Sequence, residues 1–227
     1  MVEGIDVIVP VVNRDLATML MCSIEANSVS PKRVVIIDNS REGFDFRSDT
    51  FEVRRYWDNG RMRKVNESWT LGFQKVRKEA LGVCVLNDDV VLNDRFFEKI
   101  ETLLYASGLT AVVCPRTTND FEDLAIFKPS TMCQATTMSR REGWAWTIRK
   151  SVLDKVPPIP PTLQTFCGDD WIWHHTKGLG FYWVKDQSNL IYHAEGATVK
   201  GLPDRLRPER DLEKREFNYL MGENLLK

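Results

Sequence analysis

Short apolar runs alternate with longer stretches in which apolar residues recur every three or four positions. "IDVIVPVV" (5–12) reads as a strand and "RDLATMLMCSIEANS" (14–28) as a helix. "RVVIIDNS" (33–40) and "FEVRRYW" (51–57) predict a second and a third strand. In "NESWTLGFQKVRKEALG" (66–82), Trp69, Phe73, Val76 and Ala80 keep helical spacing, which predicts a helix closing at Gly82. "VCVLNDD" (83–89) is the next strand, "DRFFEKIETLLYASG" (94–108) a helix and "LTAVVCP" (109–115) a strand.

The second half has a different texture. "MCQATTMSRREGWAWTIRKSVL" (132–153) predicts two strands and a helix starting at Ser151, and "VPPIPP" (156–161) a stiff extended segment. "GDDWIWHHTKGLG" (168–180) predicts a short helix closed by glycine, with His174 and His175 as plain helix residues. "FYWV" and "NLIYH" read as two further strands, and 202–226 as a loop and a final helix. Residues 203–216 carry five acids and five bases, the pattern of a solvated helix face. Strand–helix alternation with β-branched runs argues an α/β fold, a mostly parallel sheet with helices on both faces. Such sheets bind ligands at the carboxyl ends of their strands.

Composition narrows the picture. The chain has 227 residues, 43% of them hydrophobic, enough for a sizeable core. The net charge of −1 provides no global field toward nucleic acid or membrane. No run approaches eighteen apolar residues and the start lacks signal-peptide features, so a soluble, intracellular, cytoplasmic protein without an integral membrane segment is expected. The five cysteines, an odd number without a CxxC pair, argue against a disulfide framework or zinc site; Cys84 and Cys114 sit in core-like runs.

The candidate chemistry gathers where strands end. Asp38 closes the second strand, and Asp88 and Asp89 close the fourth. Adjacent carboxylates repel and raise each other's pKa, so a positive partner is expected between them. A second pair, Asp169 and Asp170, opens a helix, where the dipole favours carboxylates in any case. His193 follows an apolar strand, where a lone histidine is as readily structural as metal-binding. Magnesium or manganese takes oxygens from one or two carboxylates plus substrate phosphates, and manganese accepts a histidine. Trp144 and Trp146 alternate on one strand and offer either core or a sugar platform. "RRYWDNGRMRK" (54–64) holds five bases and one acid, either a solvated loop or a patch for a phosphate or an anionic acceptor.

The order "VIVPVVNR", "VVIIDNS", "VNESWTLGFQKVRKEALG", "VCVLNDDVVLN", "GWAWTIRKSVL", "GDDW", "IYHAEGAT" resembles an inverting, family 2-like glycosyltransferase of the GT-A fold, over roughly residues 5–198. The resemblance implies one GT-A domain: a nucleotide-sugar-binding half (1–115), an acceptor half (116–200) and a C-terminal helix (201–227). It implies a donor site of Pro10, Asn13, Arg14, Asp38, Asn66 and Asp88 for a nucleoside diphosphate sugar, most simply a uridine one. It implies Mn2+ or Mg2+ on Asp89 and His193, a general base in Asp170 or Asp169, and Trp144 and Trp146 toward the acceptor. The metal motif departs from the family's Asp-x-Asp at Asn87, which shifts metal contact to Asp89. Ile172 stands where the family often has a further Asp, which leaves the choice between Asp169 and Asp170 open. The acceptor hydroxyl can belong to a glycan, a small molecule or a modified nucleic acid base, the last by analogy with virus-encoded enzymes acting in a host cytoplasm. Three rivals remain. A nucleotidyltransferase would show a glycine-rich loop after the first strand, which "VIVPVVNRDLATML" lacks. A metal-dependent nuclease would not need Asp38, and a non-catalytic nucleotide-sugar binder would not need the second acidic pair.

Overall fold

The structure, a computed structural model, describes residues 4–194 and 207–222. β1 (Ile5–Val11) and α1 (Arg14–Glu25) open the chain. The Asn13 side chain caps α1 by accepting from the amides of Asp15 and Leu16. Ala17, Leu20, Met21 and Ile24 bury one stripe of that helix. β2 (Arg33–Asp38), β3 (Glu52–Trp57), α2 (Val65–Lys75), β4 (Gly82–Leu86), β5 (Val90–Val91) and α3 (Phe96–Ala106) follow. Then come β6 (Thr110–Thr118), α4 (Phe121–Ile126), β7 (Ala135–Thr137), β8 (Ala145–Arg149), α5 (Lys150–Leu153), α6 (Gly168–Gly178), β9 (Tyr182–His193) and α7 (Arg207–Leu220).

The described strands form one sheet in the order β3-β2-β1-β4-β8-β6-β9-β5, with β7 on β9. The β3-β2-β1-β4 part is parallel; β8, β5 and β7 join antiparallel, while β6 and β9 run parallel. β1, β2 and β4 are buried on both faces, as their Val/Ile-rich runs require, while the edge strand β3 is partly exposed. One face packs α1 and α3, through Leu20, Ile24, Phe97 and Ile100. The other packs α2 and α6, through Trp69, Trp171 and Ile172, around Trp146 and Trp183. Cys84 and Cys114 are core residues, as expected. No helix of the described residues is long and apolar enough to cross a membrane.

Two predicted elements differ from the expectation, and α4 and β5 are additional to it. α2 stops at Lys75 rather than Gly82. The buried Asp6 takes the Arg77 amide (2.7 Å) and its guanidinium Nε (2.8 Å), so that amide is withdrawn from the helix ladder. Gly82 is instead a close approach in β4, where a side chain would press on Leu104 and the Ile148 carbonyl. The two strands expected at 181–193 are one. "KDQS" looks like a turn but forms a bulge: Asp186 pairs with Pro115, and the next partner, Arg116, faces Leu190. Asp186 Oδ1 accepts from the Ser188 amide (3.0 Å) and hydroxyl (2.6 Å), which folds the extra residues inside the strand.

Candidate active site

β1 and β2 end level, with Val11 paired to Asp38, and the Asn39 amide donating to the Val11 carbonyl (2.7 Å). The chain therefore leaves both strands side by side, as 12–14 and 39–45. Between them lies a cleft of about 860 Å³ at the carboxyl ends of the strands, lined by Val12, Asn13, Arg14, Ser40, Arg41 and Asp88 among others. Asp38 lies beneath this cleft and not on its wall. It is fully buried and its carboxylate is occupied: Oδ1 accepts from the Ser40 amide and hydroxyl, Oδ2 from the Phe44 amide and the Arg55 guanidinium. Asp38 thus ties down the loop that forms the cleft wall. Gly43 turns that loop at φ 81°, and a side chain there would strike Arg55. Pro10 lies within β1 opposite Ile37, and Arg14 stands at the rim, paired with Glu42 (2.8 Å).

The adjacent carboxylates on β4 have different partners. Asp88 Oδ2 accepts from the amides of Val12 and Asn13, both at 2.7 Å, which binds the β1–α1 turn to the β4–β5 turn. Burial still holds its pKa above the ordinary carboxylate value, with Asp89 adding to the rise and the two amides opposing it. Asp89 points elsewhere. Its backbone carbonyl accepts from the Ala194 amide (3.0 Å), and β5–β9 pairing brings His193 beside it. His193 Nε2 stands 3.4 Å from Asp89 Oδ1, a buried oxygen with no hydrogen-bond partner. The imidazole lies flat on the Trp144 indole, with centroids 5.2 Å apart and planes at 14°.

A hard oxygen and an imidazole nitrogen that converge without bonding fit Mn2+ or Mg2+. Among the described residues no three His, Cys, Asp or Glu side chains converge. The protein would therefore supply two donors, and substrate oxygens and water would supply the rest, which is how these ions are usually held.

The second acidic pair sits under Arg141, whose guanidinium reaches Asp169 Oδ2 (3.4 Å) and bonds Asp170 Oδ2. The Asp170 amide donates to Asp169 Oδ1 (3.0 Å). Burial raises the Asp169 pKa, with Arg141 opposing and Asp170 adding to the rise. A Cβ at position 143 would stand 3.1 Å from Asp169 Oδ2, so Gly143 leaves the space this carboxylate occupies. The two acidic pairs are joined through this one segment. Arg141 and Gly143 touch the second pair, while Trp144 accepts from the Asn87 amide (2.9 Å) and stacks on His193.

Two further expectations need correcting, and one open choice is resolved. Trp146 is not an acceptor platform. It points to the opposite face of β8 from Trp144, is fully buried, and packs edge-on against Trp69 and close to Trp183. Asn66 is not at the cleft; it is buried between α2 and the 163–168 turn. The basic run 54–64 is neutralised: Arg54 pairs with Glu52, Arg55 with Asp38, Arg61 with Glu67, Arg63 with Asp58 and Lys64 with Glu209. Arg141 escapes sequence reasoning, although "RREGW" places two bases just before the tryptophan strand.

No protein-family model matches the chain, and no curated protein does. Solved structures do. One is the crystal structure of GalNAc-T7 with UDP, GalNAc and Mn2+, at 10% identity and a TM-score of 0.62. The match covers 88% of this chain and 46% of that one, so the chain spans a little under half the length of its structural neighbour. The protein has the fold of the GT-A glycosyltransferases.

Proposed function

We propose that this protein is an inverting, metal-dependent glycosyltransferase, family 2-like, which moves a sugar from a uridine diphosphate sugar to an acceptor hydroxyl. The observation that carries the reading is the 141–144 segment. It joins a carboxylate pair able to act as a base to a carboxylate–imidazole pair able to hold a cation, and Asp89 of the latter follows Asp88, which lines a nucleotide-sized cleft. Residues 1–115 would form the donor half and 116–200 the acceptor half, and the reaction is assigned to the cytoplasm.

In this reading the nucleotide lies in the cleft, over the loop that Asp38 organises, between Asn13, Arg14 and Asp88. Asp89 and His193 would hold Mn2+ or Mg2+, which neutralises charge on the diphosphate leaving group. Asp170, or alternatively Asp169, takes the proton from the acceptor hydroxyl as its oxygen attacks the anomeric carbon. Arg141 bonds that carboxylate and holds it in place, and the acceptor hydroxyl would replace one guanidinium bond. A base on the face opposite the leaving group gives inversion by direct displacement. Burial raises the pKa of Asp169, which makes that carboxylate itself a better proton acceptor should it be the base. Trp144 presents the edge not covered by His193 toward the acceptor.

Calorimetry with uridine diphosphate, with and without Mn2+, tests the donor assignment. Binding that requires the cation is the expected result. Failure of every nucleoside diphosphate and nucleotide sugar to bind would overturn the proposal.

A further inference from the structure

Glu213 belongs to the charge-dense α7, yet its carboxylate is buried while its neighbours face water. A buried carboxylate is costly unless hydrogen bonds replace its hydration. Here the replacement is backbone. Glu213 accepts from the Thr165 amide (3.1 and 3.0 Å) and the Phe166 amide (2.8 Å). Asn66 on α2 grips the other side of the same turn. Its Nδ2 donates to the Leu163 and Phe166 carbonyls, each at 2.9 Å, and its amide donates to the Gln164 carbonyl (2.9 Å). Cys167 follows in the left-handed region at φ 60°, an unfavourable place for a side chain that the surroundings must enforce. At Gly168 any Cβ would collide with the Asn66 side chain. Asp169 and Asp170 come next. Only Cys167 and Gly168 separate the clamped backbone from the acidic pair.

We infer that Glu213 is a positioning residue: clamping residues 165 and 166 from α7, against Asn66 on α2, fixes the turn from which α6 starts and so sets where Asp169 and Asp170 stand. The role in transfer rests on the proposed function; the clamp itself does not. A second tie, the surface pair Lys64–Glu209 (2.8 Å), joins α7 to the start of α2, but exposed pairs of this kind contribute little.

Two readouts test the inference in Glu213→Ala and Glu213→Gln. The first is alkylation of Cys167, followed peptide by peptide. The thiol is half-buried and burial pushes its pKa up to about 12, so it reacts slowly while the turn is held. Glu213→Ala should speed Cys167 alkylation on the order of tenfold, as expected when a hydrogen bond to a charged group is lost. Cys84 and Cys114 should stay protected. The second is kinetic: kcat should fall on the order of tenfold as the base is misplaced, with donor affinity unchanged. Glu213→Gln, which keeps one acceptor oxygen, should fall between parent and Glu213→Ala, and carries the test alone should the alanine variant not fold. Lys64→Ala should match the parent in both readouts. Parental Cys167 reactivity in the variants, or an equal rise at Cys84 and Cys114, would overturn the clamp. Unchanged kcat with faster Cys167 alkylation would overturn the positioning role. Absence of turnover in the parent would remove the proposed function, and the alkylation result would then decide the clamp alone.

Discussion

The Trp144 indole lies face to face with the His193 imidazole, 5.2 Å between centroids, while the imidazole's Nε2 edge faces Asp89. Stacking fixes the plane of the ring and leaves its nitrogen free to meet a cation. Trp144→Ala should therefore weaken Mn2+ binding by about 10–100-fold, the usual cost of losing a group that orients a ligand. Trp144→Phe should restore much of it. Titration of Mn2+ by electron paramagnetic resonance, in the presence of uridine diphosphate, checks both.

Asp89→Asn should abolish cation-dependent nucleotide binding while leaving the fold intact. The Asp89 backbone carbonyl, which helps to seat β9, is untouched by the change. Calorimetry with and without Mn2+, beside a thermal unfolding curve, separates the two effects. Cation-dependent binding that survives in the variant would remove Asp89 from the metal assignment.

Asp170→Asn should lower turnover by about 10²–10⁴-fold, the range of general-base help, with donor affinity close to parental. Asp169→Asn should cost less. Turnover and donor binding of both variants decide it, and the reverse order of damage would make Asp169 the base.

Asp169 also carries a pH signature. Its folded-state pKa is raised, so the folded protein holds this proton more tightly than the unfolded chain does. Its ionisation then costs stability as pH rises through the folded pKa. Asp169→Asn should be more stable than the parent above that pKa. The difference should shrink as pH falls through the folded pKa toward the ordinary carboxylate value. Thermal unfolding across a pH series checks this, and a gap that widens toward acid would reverse the sign.

Gly72→Ala should destabilise, although alanine usually stabilises a helix by about 1 kcal/mol over glycine. A Cβ there would lie 2.5 Å from Ile8 Cγ2, where α2 packs on β1. Ile8 is fully buried and cannot retreat, and overpacking of this kind costs about 1–3 kcal/mol. Denaturant unfolding should show a lower midpoint with an unchanged slope.

Much of the fold was legible because hydrophobic period and strand length agree. The central parallel strands β1, β2 and β4 are largely apolar runs, and α1 shows a clean stripe after a capping Asn13. What stayed illegible depends on partners distant in sequence. α2 ends early because Asp6 captures Arg77, 71 residues away. The basic run 54–64 reads as patch or solvated loop until Asp38 and Glu209 come from far along the chain to pair with Arg55 and Lys64, the rest being met by acids within or beside the run. Alternation would put Trp144 and Trp146, two residues apart, on one face; Trp144 instead precedes β8 and packs on the other side of the sheet. Glu213 looks like one more surface charge in a 3.6-residue pattern, since only the 163–166 backbone gives it a reason to be buried. The Asp88–Asp89 pair was noticed for its repulsion. The separation of tasks, one carboxylate on backbone amides and the other beside an imidazole, appears only in three dimensions.

The bulge in β9 makes the length of the chain matter as much as its chemistry. Side chains on a strand change face at every residue, and the extra residues at 187–189 set the phase in which Tyr192 and His193 arrive. Deleting one of them with no compensating shift would turn His193 away from Asp89 without altering a single residue near either. Segments 119–134 and 187–189 should therefore differ sharply in their tolerance of insertion and deletion, since the first lies between strands and the second within one.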